Sequence, residues 1–368
     1  MVIPTKKTAT VDTRKKGSDR PIFIVGCARS GTTLLQIMLH SHPRIAIPPE
    51  TRFLMKIYDK RTQFGDLSMP ENRAALADSI IDDKKSKFGD LGLDAALIRQ
   101  MIIDGPPTIG SAMGIIFREY AAKYGKPRWG DKRPNYIRYI DILLKLFPDA
   151  QFIHIIRDGR DCIASLKQMP WWKHPYRTGV YKWTQAIKAG NRARKILRAD
   201  QYYELKYEAL VSDPEKELRA LCAYLGEEFH SAMLEHHKTT AVAVPARKLK
   251  KHHKGTTQQV HTEAVGKWQQ QLTAEQIALI ETVGAEQLRQ YAYPLSEQLP
   301  ALKKKVKHRY EQCVLKKQKQ VKASKRKDAK QARRYNQTVQ ALLTVGQLDS
   351  YQQSIAQGKE QMRGQSAT

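Results

Sequence analysis

A glycine-containing segment carries the residues best suited to hold a phosphate or sulfate group. Residues 26–33 read Gly-Cys-Ala-Arg-Ser-Gly-Thr-Thr and join a predicted buried strand to a predicted helix. A turn of this kind directs several backbone N–H groups, with the positive end of the helix behind them, at one point. We expect an anion to bind the amides of Ser30, Gly31, Thr32 and Thr33, and Arg29 to supply the cation.

A second cation follows another predicted strand. Arg157 stands at the carboxyl end of residues 151–156, where open α/β sheets bind ligands, and Ser165 falls in the helix that follows. A guanidinium and a hydroxyl grip a phosphate from two directions. The alternative is surface pairing between arginine and aspartate, which contributes little.

Two further residues are suited to acid–base and electrostatic chemistry. Glu50 follows Pro48 and Pro49, a stiff segment, and is a candidate general base. Taken alone, its position is more typical of a helix cap. Lys132 is expected in a loop bounded by Gly130 and Pro134, where it reaches an anion or is simply solvated.

Strands that alternate with helices predict an α/β fold with a parallel sheet flanked by helices. The predicted strands are residues 21–26, 151–156 and 202–207. Residues 168–183 are aromatic and are expected to form a loop that covers an acceptor ring or packs on the protein.

Charge divides the chain into three parts. The net charge is +28, from 64 Lys and Arg against 36 Asp and Glu, which favours an anionic partner. We expect a flexible leader over 1–20, a domain over 21–300, and a basic, then Gln-rich, extension over 301–368. The extension, helical or disordered, is expected to be dispensable for chemistry. The four widely spaced cysteines and the polar N-terminus favour a cytoplasmic protein without a membrane span.

The two anion-binding segments, in this order and spacing, resemble those of sulfotransferases that use 3'-phosphoadenosine 5'-phosphosulfate (PAPS). The similarity is closest to the tyrosylprotein sulfotransferase branch, with Arg-Ser-Gly-Thr-Thr-Leu at 29–34, His-Pro at 42–43 and Glu-Thr-Arg at 50–52. Leu-Phe-Pro at 146–148, Tyr-Glu-Ala-Leu at 207–210 and Lys-Trp at 267–268 extend it. Pro49 replaces an acidic residue of that branch.

This resemblance implies a P-loop-like sheet, PAPS as donor, 3',5'-ADP as product and no metal. It implies that Glu50 is the catalytic base and that Arg29 and Lys132 stabilise the transferring group. The 29–34 segment then holds the 5'-phosphosulfate, and Arg157 and Ser165 hold the 3'-phosphate. Further donor contacts are implied for Tyr207, Thr256 and Lys267.

The acceptor stays open at this stage. Tyrosine in an acidic peptide, a glycan hydroxyl and a small alcohol or phenol are all compatible with the sequence. A protein of another class, binding nucleic acid through the 301–334 charge run, is disfavoured because Tyr310 is the only aromatic residue there. The oligomeric state, a homodimer included, is also open.

Overall fold

The structure, a computed structural model, describes residues 18–239 and 258–335 of the chain. Three sequence predictions therefore lie wholly or mostly outside the described residues. They are the leader before residue 18, the donor contact at Thr256 and the Gln-rich stretch after residue 335.

The core of the fold is a five-stranded parallel sheet in the order β2-β3-β1-β4-β5. The strands are β1 (Ile22–Gly26), β2 (Ile45–Ala46), β3 (Arg128–Lys132), β4 (Gln151–Ile156) and β5 (Tyr202–Lys206). The predicted α/β class and the three predicted strands are confirmed. The central strand β1 lies between β3 and β4, so the loops after these three strands meet at one edge.

Both faces of the sheet are buried, as the continuous apolar run of β1 predicts. Phe23 and Val25 face one hydrophobic core, and Ile22 and Ile24 face the other. This alternation follows from the two-residue period of a strand. Helices must therefore cover both faces.

The helices that surround the sheet follow the chain in thirteen segments within the described residues. They are α1 (Thr32–Ser41), α2 (Phe53–Lys60), α3 (Pro70–Ile81), α4 (Ala95–Asp104), α5 (Ile109–Ala122), α6 (Ile140–Leu146), α7 (Gly159–Lys167), α8 (Tyr176–Ile196), α9 (Tyr207–Ser212), α10 (Pro214–Leu225), α11 (Trp268–Gln271), α12 (Ala274–Gln290) and α13 (Lys304–Tyr335). Short 3₁₀ turns, among them Arg61–Gln63 and Pro134–Arg138, connect some of them. None of the described helices combines the length and the apolar character needed to cross a membrane. The cytoplasmic location stays a prediction.

Two local predictions were wrong. Residues 176–183 are not a loop but the start of α8, because Val180, Trp183 and Ile187 share one buried face and tertiary packing outweighs local preference. Lys132 is not in a loop but is the last residue of β3, where it pairs with Ile24 of β1.

The basic extension begins as an ordered part of the fold. Helix α13 packs on α8 and contacts the Arg61–Gln63 turn. Val306 is only 7% exposed and joins a hydrophobic cluster that includes Ile163, Val180 and Ile280. The first turns of α13 therefore complete a small core.

Candidate functional site

The loop between β1 and α1 adopts a conformation that exposes backbone amides. Gly31 has φ 97° and Arg29 has φ 72°, so both lie in the left-handed region. The first N–H groups of α1 have no acceptor within the helix. Ser30 is fully buried, and its amide and its Oγ, at 3.2 and 2.7 Å, both donate to the Cys27 carbonyl. Ser30 therefore shapes the loop. The sequence predicts that its amide binds an anion, but in the structure this amide is bonded to the Cys27 carbonyl instead.

The loop residues Gly31, Thr32 and Thr33 line a cavity of about 240 Å³. Eight of the predicted donor-binding residues line it: Arg29, Gly31, Thr32, Thr33, Arg157, Ser165, Tyr207 and Lys267. Gln168, His261 and Gln271 also line it and were missed from the sequence. Of these, Gln168 stands one helical turn after Ser165, which is the only sequence signal that points to it.

Arg157 extends from the end of β4 and is fixed from several directions. One terminal nitrogen donates to the Arg29 carbonyl at 3.0 Å, and the other donates to the Ala264 carbonyl. The guanidinium lies over the Tyr207 ring, 4.5 Å from its centre. Its Nε is buried without a hydrogen-bond partner among the described residues. A buried donor of this kind is costly unless a ligand oxygen accepts from it.

The Arg29 side chain crosses the cavity to α7. Its Nε donates to Ser165 Oγ at 2.9 Å, which links the two predicted anion-binding segments. Burial, and then the neighbouring Arg157, lower the pKa of Arg29 below its usual value. Arginine stays protonated nevertheless, so repulsion between two buried like charges raises the free energy of this part of the protein, although Asp161, 3.8 Å from Arg157, offsets some of it. An anion between them offsets that cost.

Lys132 and Glu50 meet beside the amide loop. The Lys132 ammonium nitrogen lies 3.4 Å from Thr33 Oγ1 and 3.4 Å from Glu50 Oε2. The Lys132 side chain is 5% exposed and that of Glu50 is 29% exposed. Gln36 of α1 donates to the Pro48 carbonyl at 2.7 Å, which ties the segment before Glu50 to the first helix. The predicted base and the predicted cation are thus brought together at the rim of the loop.

Asp131 supports this arrangement and was not predicted as a site residue. It is fully buried and accepts hydrogen bonds from Thr51 Oγ1 and from the Tyr136 hydroxyl, each at 2.9 Å. The Lys132 amide donates to its other oxygen at 2.8 Å. Because Thr51 follows Glu50 directly, Asp131 holds the Glu50 segment against the end of β3.

Lys267 reaches the opposite side of the cavity through a backbone clamp. Asp161 accepts from the Gly266 amide at 2.8 Å and from the Trp268 amide at 2.9 Å. Burial raises the pKa of Asp161, while Arg157 and these two amides oppose the shift. The Lys267 side chain is 48% exposed and lies 4.0 Å from Glu263. Lys267 is therefore half-exposed where it lines the cavity.

A family model with the description "Sulfotransferase family" matches residues 21–231, which contain most of this site. The match covers more than half of the chain. The chain belongs to the sulfotransferase family. This confirms the family resemblance of the two anion-binding segments.

Curated proteins that are similar to this chain are named protein-tyrosine sulfotransferases. One from Drosophila melanogaster is 27% identical over 263 residues, which are 69% of this chain and 48% of the relative. Another, "Protein-tyrosine sulfotransferase 1" from Danio rerio, is 28% identical over 256 residues, 67% of this chain and 65% of the relative. The match thus spans between about half and two thirds of the length of these relatives.

Solved structures agree with the family fold. The sulfotransferase domain from the Synechococcus PCC 7002 olefin synthase has a TM-score of 0.53 and 23% identity, and covers 79% of this chain and 100% of that one. The sulfotransferase domain from the curacin biosynthetic pathway has a TM-score of 0.50 and 20% identity, with 76% and 100% covered. Both similarities concern the fold.

Proposed function

We propose that this chain transfers a sulfuryl group from PAPS to a hydroxyl group, with the side chain of a protein tyrosine as the acceptor. The observation that carries the proposal is the position of the Lys132 ammonium group, 3.4 Å from both Thr33 of the amide loop and Glu50. One cation thereby joins the place where a sulfate group would be held to the place where a proton would be accepted. The names of the curated relatives support tyrosine as the acceptor.

The cavity has the donor groups that PAPS requires. The amides after Gly31, with Thr32 and Thr33, suit the 5'-phosphosulfate. Arg157, whose Nε has no acceptor within residues 18–239 and 258–335, and Ser165 suit the 3'-phosphate. Thr32 in place of the P-loop lysine disfavours a triphosphate.

The reaction needs alignment, charge neutralisation and one proton transfer. The acceptor oxygen forms a bond to sulfur while the bond from sulfur to the bridging phosphate oxygen breaks. The electron pair of that bond leaves with 3',5'-ADP. Lys132 and Arg29 face the negative charge that develops on the transferring group and on the leaving oxygen. Glu50 takes the proton from the acceptor hydroxyl.

Other acceptors have weaker support. A glycan hydroxyl or a small phenol needs the same donor site. However, neither curated relative described above has a name that refers to a glycan or a small phenol. Nucleic-acid binding by the 301–334 charge run loses support because Tyr310, the only aromatic residue in that run, packs against a hydrophobic cluster and is not available for base stacking.

The proposal is tested by incubating the protein with PAPS labelled in the sulfuryl group and three acceptors: a tyrosine peptide, a glycan and p-nitrophenol. We expect labelled tyrosine peptide and an equal amount of 3',5'-ADP. In parallel, 3',5'-ADP should raise Tm by mass action, and ATP with Mg²⁺ should raise it much less. Equal stabilisation by ATP, or no labelled acceptor of any class, would reject the proposed function.

A further inference from the structure

Two cysteines that the proposed mechanism does not use meet where the loop between β1 and α1 begins. Cys27 directly follows β1 and is 6% exposed, whereas Cys162 lies near the start of α7 and is fully buried. Both belong to the hydrophobic cluster on the same face of the sheet, and both are free thiols. Their side chains are hydrogen-bonded to each other. The structure therefore holds a reduced pair of thiols between β1 and α7.

This pair connects the two anion-binding segments of the donor cavity. The Cys27 carbonyl accepts hydrogen bonds from the Ser30 amide at 3.2 Å and from the Ser30 hydroxyl at 2.7 Å, which closes the loop. The Cys162 sulfur lies 4.0 Å from the carbonyl oxygen of Arg157. Ser165, which lines the cavity, follows Cys162 by one helical turn. A movement of either sulfur atom therefore reaches residues of the donor site.

The surroundings give the two thiols different reactivity. Burial raises the pKa of the Cys162 thiol, and the neighbouring Cys27 raises it further. Cys162 is therefore held as a neutral thiol. The Lys182 ammonium group is within electrostatic range of Cys27, and a nearby cation favours the thiolate, the form that reacts with oxidants. These differences make Cys27 the attacking sulfur and Cys162 the resolving one.

We propose that a hydroperoxide converts Cys27 and Cys162 into a reversible disulfide that lowers the affinity of the donor site. The Cys27 sulfur attacks one peroxide oxygen, the O–O bond breaks, and the second oxygen leaves as water with the Cys27 proton. The Cys162 sulfur then attacks the sulfur of the resulting sulfenic acid. The S–O bond breaks, and a second water leaves with the Cys162 proton. The two thiols lose two electrons, which the peroxide gains.

The disulfide changes the cavity because the covalent bond is much shorter than the contact it replaces. Its sulfur atoms must approach to about 2.05 Å. A close-packed interior does not absorb such a shift locally, so the loop or α7 must move. The hydrogen bond of 2.9 Å from Arg29 to Ser165 spans the same two segments and changes with them. The inference rests on the proposed function only for the identity of the ligand, 3',5'-ADP.

The test treats the full chain with equimolar hydrogen peroxide, alkylates the remaining thiols and maps disulfides by mass spectrometry. We expect a linkage between Cys27 and Cys162 and, by calorimetry, at least a tenfold loss of 3',5'-ADP affinity that dithiothreitol reverses. Prior saturation with 3',5'-ADP should slow formation of the linkage, because the ligand favours the reduced form.

Two variants separate this linkage from general oxidation. Cys162→Ala cannot form the linkage, so its affinity for 3',5'-ADP should stay within about twofold before and after the same treatment. Cys222→Ala is the matched control, because Cys222 is also fully buried in a helix but belongs to the cluster on the opposite face of the sheet. It should lose affinity on oxidation as the wild type does.

The inference is overturned if no linkage between Cys27 and Cys162 forms although the half-exposed Cys313 thiol has been oxidised. An unchanged affinity of the linked protein would overturn it as well. An equal loss in oxidised Cys162→Ala would do the same, since oxidation outside the pair would then be the cause. Failure of the proposed function would instead appear as no binding of 3',5'-ADP to the reduced protein, whereas the disulfide map needs no ligand.

Discussion

Arg157 combines a structural role with a proposed role in binding the 3'-phosphate. It donates to the Arg29 and Ala264 carbonyls, and its buried Nε has no partner in the described part of the chain. Arg157→Ala should weaken 3',5'-ADP binding by about 1.5–3 kcal/mol, the worth of a charge-assisted hydrogen bond. Calorimetry should show a much smaller loss for adenosine 5'-phosphosulfate, which lacks the 3'-phosphate. Arg219→Ala, an exposed arginine paired with Glu215, is the control. Equal losses for both ligands would mean that Arg157 only maintains the cavity.

Asp131 makes stability depend on pH. Burial raises the pKa of its carboxyl group from 3.8 to about 6, although Thr51 and Tyr136 oppose the shift. The unfolded chain therefore releases this proton at lower pH than the folded protein does. Between about pH 4 and 6 the unfolded state binds fewer protons, so this residue's contribution to stability falls as pH rises.

The change should amount to about 2–3 kcal/mol, since each pKa unit is worth about 1.36 kcal/mol. Asp131→Asn cannot titrate and lacks this slope. We expect the difference in unfolding free energy, wild type minus variant, to fall by that amount between pH 4 and 7 in denaturant titrations. A difference that stays constant over this range would contradict the raised pKa of Asp131.

The amide loop depends on glycine at one point. A Cβ atom on Gly31 would lie 2.4 Å from the Tyr207 ring, and the residue also has a positive φ. Gly31→Ala should therefore displace Tyr207 or the loop and reduce 3',5'-ADP affinity at least tenfold, which corresponds to about 1.4 kcal/mol. Gly125→Ala is the control, because Gly125 has φ +63° but nothing within 4 Å of an added Cβ. Similar affinity for the two variants would show that the close approach to Tyr207 is unimportant.

Helix α13 contributes to stability through its first turns. Val306 is 7% exposed, whereas Leu315 on the same helix is 48% exposed. Val306→Ala should lower the free energy of unfolding by about 1–3 kcal/mol through the lost burial and the cavity it leaves. Leu315→Ala should change it by less than about 0.5 kcal/mol. If Val306→Ala is as mild as Leu315→Ala, α13 does not dock on the core in solution.

Over the whole molecule, the sequence was most informative where local pattern and chemistry coincide. The strand before Gly26 and the strand before Arg157 are apolar runs bounded by turn residues, and they predicted both the parallel sheet and the cavity. Two features could not be predicted from the sequence. The role of Asp131 depends on Thr51, 80 positions earlier in the chain. The docking of α13 depends on a hydrophobic cluster made by three separate segments, which a charge count does not reveal.

The whole account depends on Glu50 accepting a proton during sulfuryl transfer. The most direct measurement is a single-turnover quench experiment with labelled PAPS bound to the wild type and to Glu50→Gln, using acceptors of graded acidity. Glu50→Gln should lower the transfer rate about 10²–10⁴-fold, the usual worth of general base catalysis. Its affinity for PAPS should stay close to that of the wild type, and the defect should shrink for more acidic phenols. A near-normal transfer rate for Glu50→Gln on a poorly acidic alcohol would contradict the account.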